Sequence, residues 1–360
     1  MNLETELAKY DYAVNPDQIA ETPAHPRDSA KLLVYDRTTG SEVEDTFLHL
    51  DQYLKSGTLL VLNDTKVVPA RLPCFLPTGG KVELLWVGEE KSKHVFRALS
   101  PRGLDVGATL EFGSLTVTVL AKEASIYTFS HTGSSARFRA TMMKTGTTPI
   151  PPYLKHTSLK ERELRKEYQT IFAKREGSVA APTASLHFTK RLFAKLRKKG
   201  VRIAYVTLHV NLGTFAPLTD EHLKSGTLHS EWYEIPPATQ RAIARAKKSG
   251  HPVIPVGTTA LRTLESASPV LGRSDLPRSH VLGRSDLPKR GVVGTTSLFI
   301  REGYEFKVAD GLITNFHVPR SSLLMLVAAL VGRTKILQLY ANAVRRGFRF
   351  YSFGDGMLIR

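Results

Sequence analysis

The sequence predicts an α/β main domain that carries a small inserted antiparallel β-barrel. Three observations lead to this prediction. The 360 residues exceed the usual size of one domain, which is ~100–200 residues. Between residues 74 and 143, short alternating apolar runs are separated by glycines at strand-and-turn spacing. After residue 149, helical and strand patterns alternate. We therefore assign residues 1–72 and 150–360 to the α/β domain, and residues 73–149 to an all-β barrel or sandwich inserted in it.

The apolar periodicity locates the elements of both parts. In the main domain it predicts strands at residues 31–37, 58–62, 201–210 and 251–256, and helices at 47–55, 188–199, 238–249 and 258–266. In the insert it predicts strands at 81–87, 94–99, 115–120 and 137–141. Open α/β sheets bind ligands in the loops at the carboxyl ends of their strands, where His209 and Thr258 fall.

The charge balance favours a polyanionic partner. Fifty lysines and arginines face 33 aspartates and glutamates, for a formal net charge of +17. Nucleic acid is the leading candidate partner, while a generally basic proteome and an anionic membrane surface are the alternatives. The amino terminus has no signal pattern, and the longest apolar run, residues 323–331, is shorter than the ~20 residues of a membrane span. We expect a cytoplasmic monomer without membrane contact.

The cysteine count limits the chemistry. Cys74 is the only cysteine, which excludes an intrachain disulfide, a multi-thiolate zinc site and an iron–sulfur cluster held by this chain. The octapeptide VLGRSDLP occurs at residues 270–277 and again at 281–288. We interpret it as a tandem duplication in a surface loop without chemical function.

Five polar segments, at residues 177–188, 208–215, 228–235, 257–266 and 310–320, are the candidates for a site. Four of them contain a histidine, the side chain that exchanges protons near neutral pH: His187, His209, His229 and His317. Glu231 and Asp310 lie in the same segments and are candidate bases or partners of an imidazole. For each of these residues a purely structural role is the alternative. The close spacing that zinc requires is absent, so we expect no metal site.

The segment at residues 257–259 follows an apolar strand and opens a helix, where backbone N–H groups bind a carboxylate or phosphate. The phosphate-loop and dinucleotide-binding glycine motifs do not occur in the sequence, which disfavours kinases, common GTPases and nicotinamide dehydrogenases. Two basic groups are candidates for gripping RNA phosphates: Lys190, Arg191, Lys195 and Lys198 in a predicted helix, and Arg345 with Arg346 near the carboxyl terminus.

Long motifs in fixed order identify a resemblance that runs nearly end to end. They include LLVLNDTKVVPARL (59–72), PIPPY (149–153), SVAAPTASLHFT (178–189), VTLHVNLGTF (206–215), HSEWYEIP (229–236), VGTTALRTLES (256–266), DGLITNFHVPRSSLLMLV (310–327) and FYSFGDGMLI (350–359). The chain resembles the S-adenosylmethionine:tRNA ribosyltransferase-isomerases of queuosine biosynthesis. It departs from the usual pattern at Ser185, Asn211, Ser297 and residues 301–302.

The resemblance implies that S-adenosylmethionine donates its ribosyl moiety to 7-aminomethyl-7-deazaguanine at the tRNA wobble position. Adenine and methionine leave, epoxyqueuosine forms, and no cofactor is bound permanently. The family fold, an α/β domain with an inserted β-barrel, agrees with the patterns above. The catalytic candidates remain His187, His209, His229, Glu231, Asp310 and His317. From chemistry and placement we expect Thr183, Thr258, Thr259, Arg262, Asn315 and Arg320 to bind substrate.

Two alternatives belong to other classes. A non-catalytic RNA-binding protein would fit the basic charge but would not require the polar segments. A methyltransferase that uses S-adenosylmethionine is disfavoured because the glycine-rich cofactor loop is missing.

Overall fold

The computed structural model describes residues 2–90, 94–211, 218–271 and 291–360. The octapeptide repeat, apart from its first two residues, lies outside this range, as do residues 212–215 of the second polar segment. The helices are α1 (Leu3–Ala8), α2 (Ser135–Thr145), α3 (Glu161–Glu167), α4 (Lys190–Lys198), α5 (Asp220–Ser225), α6 (Pro237–Lys248), α7 (Thr258–Ser266), α8 (Ser268–Leu271), α9 (Ser322–Val331) and α10 (Arg333–Arg345). The strands are β1 (Lys31–Tyr35), β2 (Glu42–Thr46), β3 (Leu59–Asn63), β4 (Thr65–Val67), β5 (Arg71–Phe75), β6 (Lys81–Glu90), β7 (Val95–Leu99), β8 (Thr109–Phe112), β9 (Leu115–Glu123), β10 (Ile126–His131), β11 (Arg175–Ser178), β12 (Arg202–Leu208), β13 (Thr227–Ile235), β14 (Val253–Val256), β15 (Val292–Leu298), β16 (Leu312–Asn315) and β17 (Gly356–Ile359).

A nine-stranded mixed sheet forms the centre of the main part, in the order β15-β13-β12-β3-β14-β16-β17-β1-β2. Strands β12, β3, β14 and β16 are mutually parallel, so their carboxyl ends meet at one edge. Strands β3 and β14 are buried over their whole length, as expected for central strands covered on both faces. This edge of the sheet is where the polar segments converge.

The six strands β5 to β10 close into a barrel, in the order β10-β7-β6-β5-β8-β9. The fold class predicted from the sequence is therefore confirmed. Arg71 at the start of β5 pairs with Thr147 through two backbone hydrogen bonds of 3.1 and 2.9 Å. The chain thus enters and leaves the barrel region side by side, as an insertion requires. The predicted bounds at residues 73 and 149 fall just beyond this pair.

The predicted strand at residues 137–141 is wrong, because this segment belongs to helix α2. The Ser134 side chain caps the helix by accepting a hydrogen bond from the Arg137 N–H. Phe138 and Met142, four residues apart, share one face and pack into the barrel core. A short alternation of apolar and polar residues fits the period of a strand as well as that of a helix. The surface against which the segment packs decides which of the two forms.

Within the described residues, no single helix is long and apolar enough to cross a membrane; only α9 and α10 together reach that composition, and they are bent by 109°.

Candidate functional site

A pocket of about 430 Å³ opens at the carboxyl ends of β12, β14 and β16. All six residues predicted to bind substrate line it, and so do three of the six predicted catalytic residues. The nine are Thr183, His229, Glu231, Thr258, Thr259, Arg262, Asn315, His317 and Arg320. They come from four of the five polar segments, which the sheet brings together although they are up to 137 residues apart in the chain (183 to 320).

Helix α7 begins at the pocket. Gly257, between β14 and the helix, has a φ of 88°, a conformation that glycine adopts without steric cost. Its N–H donates to the Ile313 carbonyl at 2.7 Å, which holds the turn against β16. The first N–H groups of a helix have no acceptor within it, and the helix dipole places positive potential there. An anionic group in the pocket would therefore be stabilised beside Thr258 and Thr259.

A buried ion pair lies one turn further into α7. Arg262 Nη1 donates to Glu231 Oε2 at 2.5 Å, and Arg262 Nε donates to the Leu298 carbonyl at 3.1 Å. Glu231 Oε1 accepts from the Asn211 N–H at 3.2 Å. Arg262 Nη2 is buried without an acceptor among the described residues. Glu231 therefore holds the guanidinium in place, and the remaining Nη2 is free to bind a substrate oxygen.

Two neutral imidazoles line the same pocket. His317 Nε2 lies 2.8 Å from Thr314 Oγ1, and burial lowers the pKa of His317 to about 4. Burial, and then the neighbouring His222, lower the pKa of His229. The rings of His222 and His229 meet edge to face, with centroids 4.8 Å apart. At neutral pH both pocket histidines are therefore uncharged, with one ring nitrogen that carries a proton and one that does not.

Arg320 lies where the amino-terminal segment crosses the pocket. Its φ of 58° is in the left-handed region, and its N–H donates to the Tyr10 carbonyl at 2.9 Å. Its guanidinium forms an ion pair with Glu4 of α1. Leu7 of the same helix lines the pocket. Helix α1 was not predicted, because it is only six residues long and packs against the core through two side chains, Leu3 and Leu7.

His187 and His209 do not line the pocket. His187 is buried behind it, with its ring stacked on Phe47 at a centroid distance of 4.1 Å, and burial lowers its pKa to about 3. His209 stacks on Trp232 at 5.0 Å, and its Nδ1 lies 2.8 Å from Thr65 Oγ1. Neither imidazole is placed to contact a molecule in the pocket directly.

Asp310 lies at the opposite edge of the sheet. Its Oδ2 accepts from the N–H of Val253, the first residue of β14, at 2.8 Å. Both carboxylate oxygens also lie 3.0 Å from Lys247 Nζ. The whole length of β14 separates this carboxylate from Gly257 at the pocket. Asp310 therefore holds the start of β14, and the structure does not bring it together with the predicted catalytic residues that line the pocket.

An aromatic wall of the pocket was not predicted as part of the site. Tyr153 and Tyr351 lie with ring centroids 4.9 Å apart, and Tyr153 Oη is 2.8 Å from Ser352 Oγ. All three residues line the pocket. They occur in the motifs PIPPY and FYSFGDGMLI, neither of which contains a histidine like those in four of the five polar segments.

The basic residues predicted to bind tRNA lie at both edges of the sheet. Arg346 directly follows α10, and its carbonyl accepts from Lys31 Nζ at 3.0 Å where β1 begins, at the pocket edge. Helix α4, which carries the other group of basic residues, ends at the opposite edge of the sheet. It ends at Lys198, and Gly200 beyond it accepts from Gly57, just before β3, at the opposite edge. Within α4, Arg191 is paired with Asp28, Lys195 bonds to the Leu48 carbonyl, and Lys190 is exposed; Arg345 is exposed at the end of α10.

Among the described residues, no group of three or more histidine, cysteine, aspartate or glutamate side chains is arranged to hold a metal ion.

Comparisons with known proteins agree over the whole chain. The family model described as "Queuosine biosynthesis protein" matches residues 7–359. A relative from Gloeobacter violaceus, named S-adenosylmethionine:tRNA ribosyltransferase-isomerase, is 44% identical over 97% of this chain and 94% of its own length. A relative of the same name from Moorella thermoacetica is 42% identical over 98% of this chain and 99% of its own length.

A solved structure shows the same fold. The crystal structure of S-adenosylmethionine tRNA ribosyltransferase from Thermotoga maritima covers 98% of this chain and 100% of its own, with a TM-score of 0.53 and 32% sequence identity. The resemblance seen in the sequence and the expectation of an enzyme of this kind are both confirmed. The chain belongs to the queuosine biosynthesis protein family, that of the S-adenosylmethionine:tRNA ribosyltransferase-isomerases.

Proposed function

We propose that this enzyme transfers and isomerises the ribosyl moiety of S-adenosylmethionine onto 7-aminomethyl-7-deazaguanine at the tRNA wobble position. The products are epoxyqueuosine-tRNA, adenine and methionine. S-adenosylmethionine is consumed as a co-substrate, and no cofactor is bound permanently. The protein acts as a cytoplasmic monomer with tRNA as its macromolecular partner.

The observation that carries this proposal is the pairing of an anion site with neutral bases in one pocket. Arg262 Nη2 and the start of α7 offer donors for the methionine carboxylate. Thr183 lines the same pocket and offers a hydroxyl. The uncharged imidazoles of His229 and His317 are available for proton transfer.

The chemistry requires these groups. A sulfonium acidifies the adjacent 5′ carbon, so a base in the pocket removes a proton there, the ribose opens and adenine is expelled with a proton. The ring opening leaves a C4′=C5′ vinyl sulfonium and a carbonyl at C1′. The uncharged amine of the tRNA base adds to C4′ and loses a proton, and the carbanion so formed at C5′ attacks C1′ and closes the five-membered carbon ring. The C1′ oxygen then displaces methionine from C5′ to form the epoxide, and methionine leaves with the electron pair of the broken carbon–sulfur bond. His229 and His317 are our candidates for the base and for the acid that protonates adenine.

The test is to incubate the protein with S-adenosylmethionine and tRNA bearing the aminomethyl base, and to identify the small products. Adenine and methionine in equal amounts support the proposal. S-adenosylhomocysteine would indicate methyl transfer, and binding without products would indicate a non-enzyme. We expect His317→Ala to abolish adenine release. His209→Ala, which removes an imidazole outside the pocket, is the matched control and should retain more turnover.

A further inference from the structure

The side-chain amide of Asn315 is fixed in one orientation at the end of β16. Its Nδ2 lies 3.2 Å from the Tyr351 carbonyl, 3.4 Å from the Asp355 carbonyl and 3.4 Å from His187 Nε2. Carbonyl oxygens only accept hydrogen bonds, so the amide nitrogen must face them. The amide oxygen, Oδ1, therefore points away from these partners.

Asn315 Oδ1 is a buried acceptor without a partner among the described residues, and Asn315 lines the pocket. The residue is only 2% exposed. A buried polar atom without a hydrogen bond costs about 1–3 kcal/mol, so most such atoms in native proteins are paired with protein groups, ordered water or a ligand. Because Asn315 lines the pocket, a bound molecule can supply the missing donor. The pocket therefore contains a position that accepts but does not donate.

His187 holds this orientation from behind the pocket. Because its Nε2 accepts from the Asn315 amide, the ring proton must be on Nδ1, which leaves that nitrogen to donate to the Arg27 backbone. The ring plane is fixed by stacking on Phe47 with an interplanar angle of 20°. A neutral His187 with this tautomer supplies an acceptor for Asn315 and does not itself reach the pocket.

We propose that Asn315 Oδ1 accepts a hydrogen bond from a ribose hydroxyl of S-adenosylmethionine, and that His187 is a positioning residue that orients the Asn315 amide for this contact. The inference rests on the proposed function of the pocket. It replaces the expected catalytic role of His187 with an indirect one.

A hydroxyl fits this position better than the other donors of the substrate. The methionine ammonium carries a full charge, and one neutral amide oxygen in a buried site does not compensate for its dehydration. A ribose hydroxyl is neutral and donates a single hydrogen, which one acceptor satisfies. The anion site at Arg262 also assigns the methionine end of the substrate to another part of the pocket.

The first experiment changes the ligand and leaves the protein intact. Binding of S-adenosylhomocysteine, its 2′-deoxy and 3′-deoxy analogues and its N6,N6-dimethyl analogue is measured by calorimetry on the full-length wild-type protein. We expect one deoxy analogue to bind about tenfold more weakly than the parent, because the acceptor is then left unpaired. Equal binding of both deoxy analogues, or a loss seen only on dimethylation of adenine, would overturn the inference.

The second experiment changes the protein. In Asn315→Ala, or Asn315→Leu if alanine does not fold, the discrimination against the deoxy analogue should disappear, since neither side chain has a hydrogen-bond acceptor. His187→Leu removes the acceptor for Nδ2 and should reduce the discrimination, whereas His187→Gln keeps an acceptor and should retain most of it. If His187 were merely structural, both substitutions would lower the melting temperature and leave the discrimination unchanged.

The outcomes separate this inference from the proposed function. If the wild-type protein does not bind S-adenosylhomocysteine at all, the assignment of the pocket fails and the inference fails with it. If it binds the parent compound without discriminating against either deoxy analogue, only the role of Asn315 is refuted.

Discussion

Replacing Glu231 with glutamine tests whether this carboxylate anchors Arg262 or takes a substrate proton. The Glu231 and Arg262 side chains are 2% and 8% exposed, and Nη1 is 2.5 Å from Oε2. Removing one partner of such a pair leaves a buried, uncompensated charge, which costs about 3 kcal/mol or more. We expect Glu231→Gln to lower the free energy of unfolding by this amount and to raise the KM for S-adenosylmethionine, because Arg262 is less well held.

Glu234→Gln is a matched control on the same strand. Glu234 pairs with Arg175 at 3.2 Å, but these side chains are 22% and 49% exposed, so the loss should be about 1 kcal/mol at most. Urea unfolding followed by circular dichroism measures both variants. The reasoning is refuted if Glu231→Gln unfolds at the same urea concentration as Glu234→Gln. A large loss of kcat with unchanged stability would restore Glu231 as a base.

Three further predictions follow from the positions of single side chains. Asp310→Asn should keep kcat within about twofold while lowering stability slightly, because Asp310 lies at the far edge of the sheet; a loss above about 100-fold contradicts this placement. Arg346→Ala should weaken tRNA binding and reduce the slope of log binding constant against log salt concentration by about one, whereas Lys198→Ala should change neither quantity. The reverse pattern in a salt titration would place the tRNA at the edge of the sheet opposite the pocket. The pKa of His317 is about 4 in the folded protein and ~6.5 when unfolded, so the unfolded state binds the proton first. The contribution of neutral His317 to the free energy of unfolding is therefore fully present above pH ~6.5 and is lost as the pH falls toward 4. We expect the melting temperature of His317→Asn to fall less steeply than that of the wild type over this range. Equal slopes of melting temperature against pH would contradict the prediction.

The order of the main elements was predictable because buried strands and amphipathic helices leave clear periods in the sequence. Strand β3 was predicted at 58–62 and runs from Leu59 to Asn63, and α6 was predicted at 238–249 and runs from Pro237 to Lys248. The closure of the barrel follows from the pairing of β9 with β10, which connects the two ends of the strand order. Such pairing depends on contacts that no local period encodes.

The polar segments identified the residues that form the pocket, but they did not show at which edge of the sheet, or on which face of a strand, each residue lies. Asp310 and His317 are seven positions apart in one segment, yet β16 between them spans the sheet, so they lie at opposite edges. Val210 lines the pocket, whereas its neighbour His209 packs on Trp232. Which edge or face a residue occupies is set by strand direction and by the alternation of side chains, and neither is fixed by composition.

The fate of the ribose carbons is the most direct test of the proposed reaction. S-adenosylmethionine labelled in the ribose, and a second sample labelled in the methyl group, are each incubated with the enzyme and tRNA carrying the aminomethyl base. We expect the ribose label to enter the tRNA in one-to-one ratio with released adenine, and the methyl label to leave in methionine. Methyl label in the tRNA, or ribose label that remains in small molecules, would contradict the account.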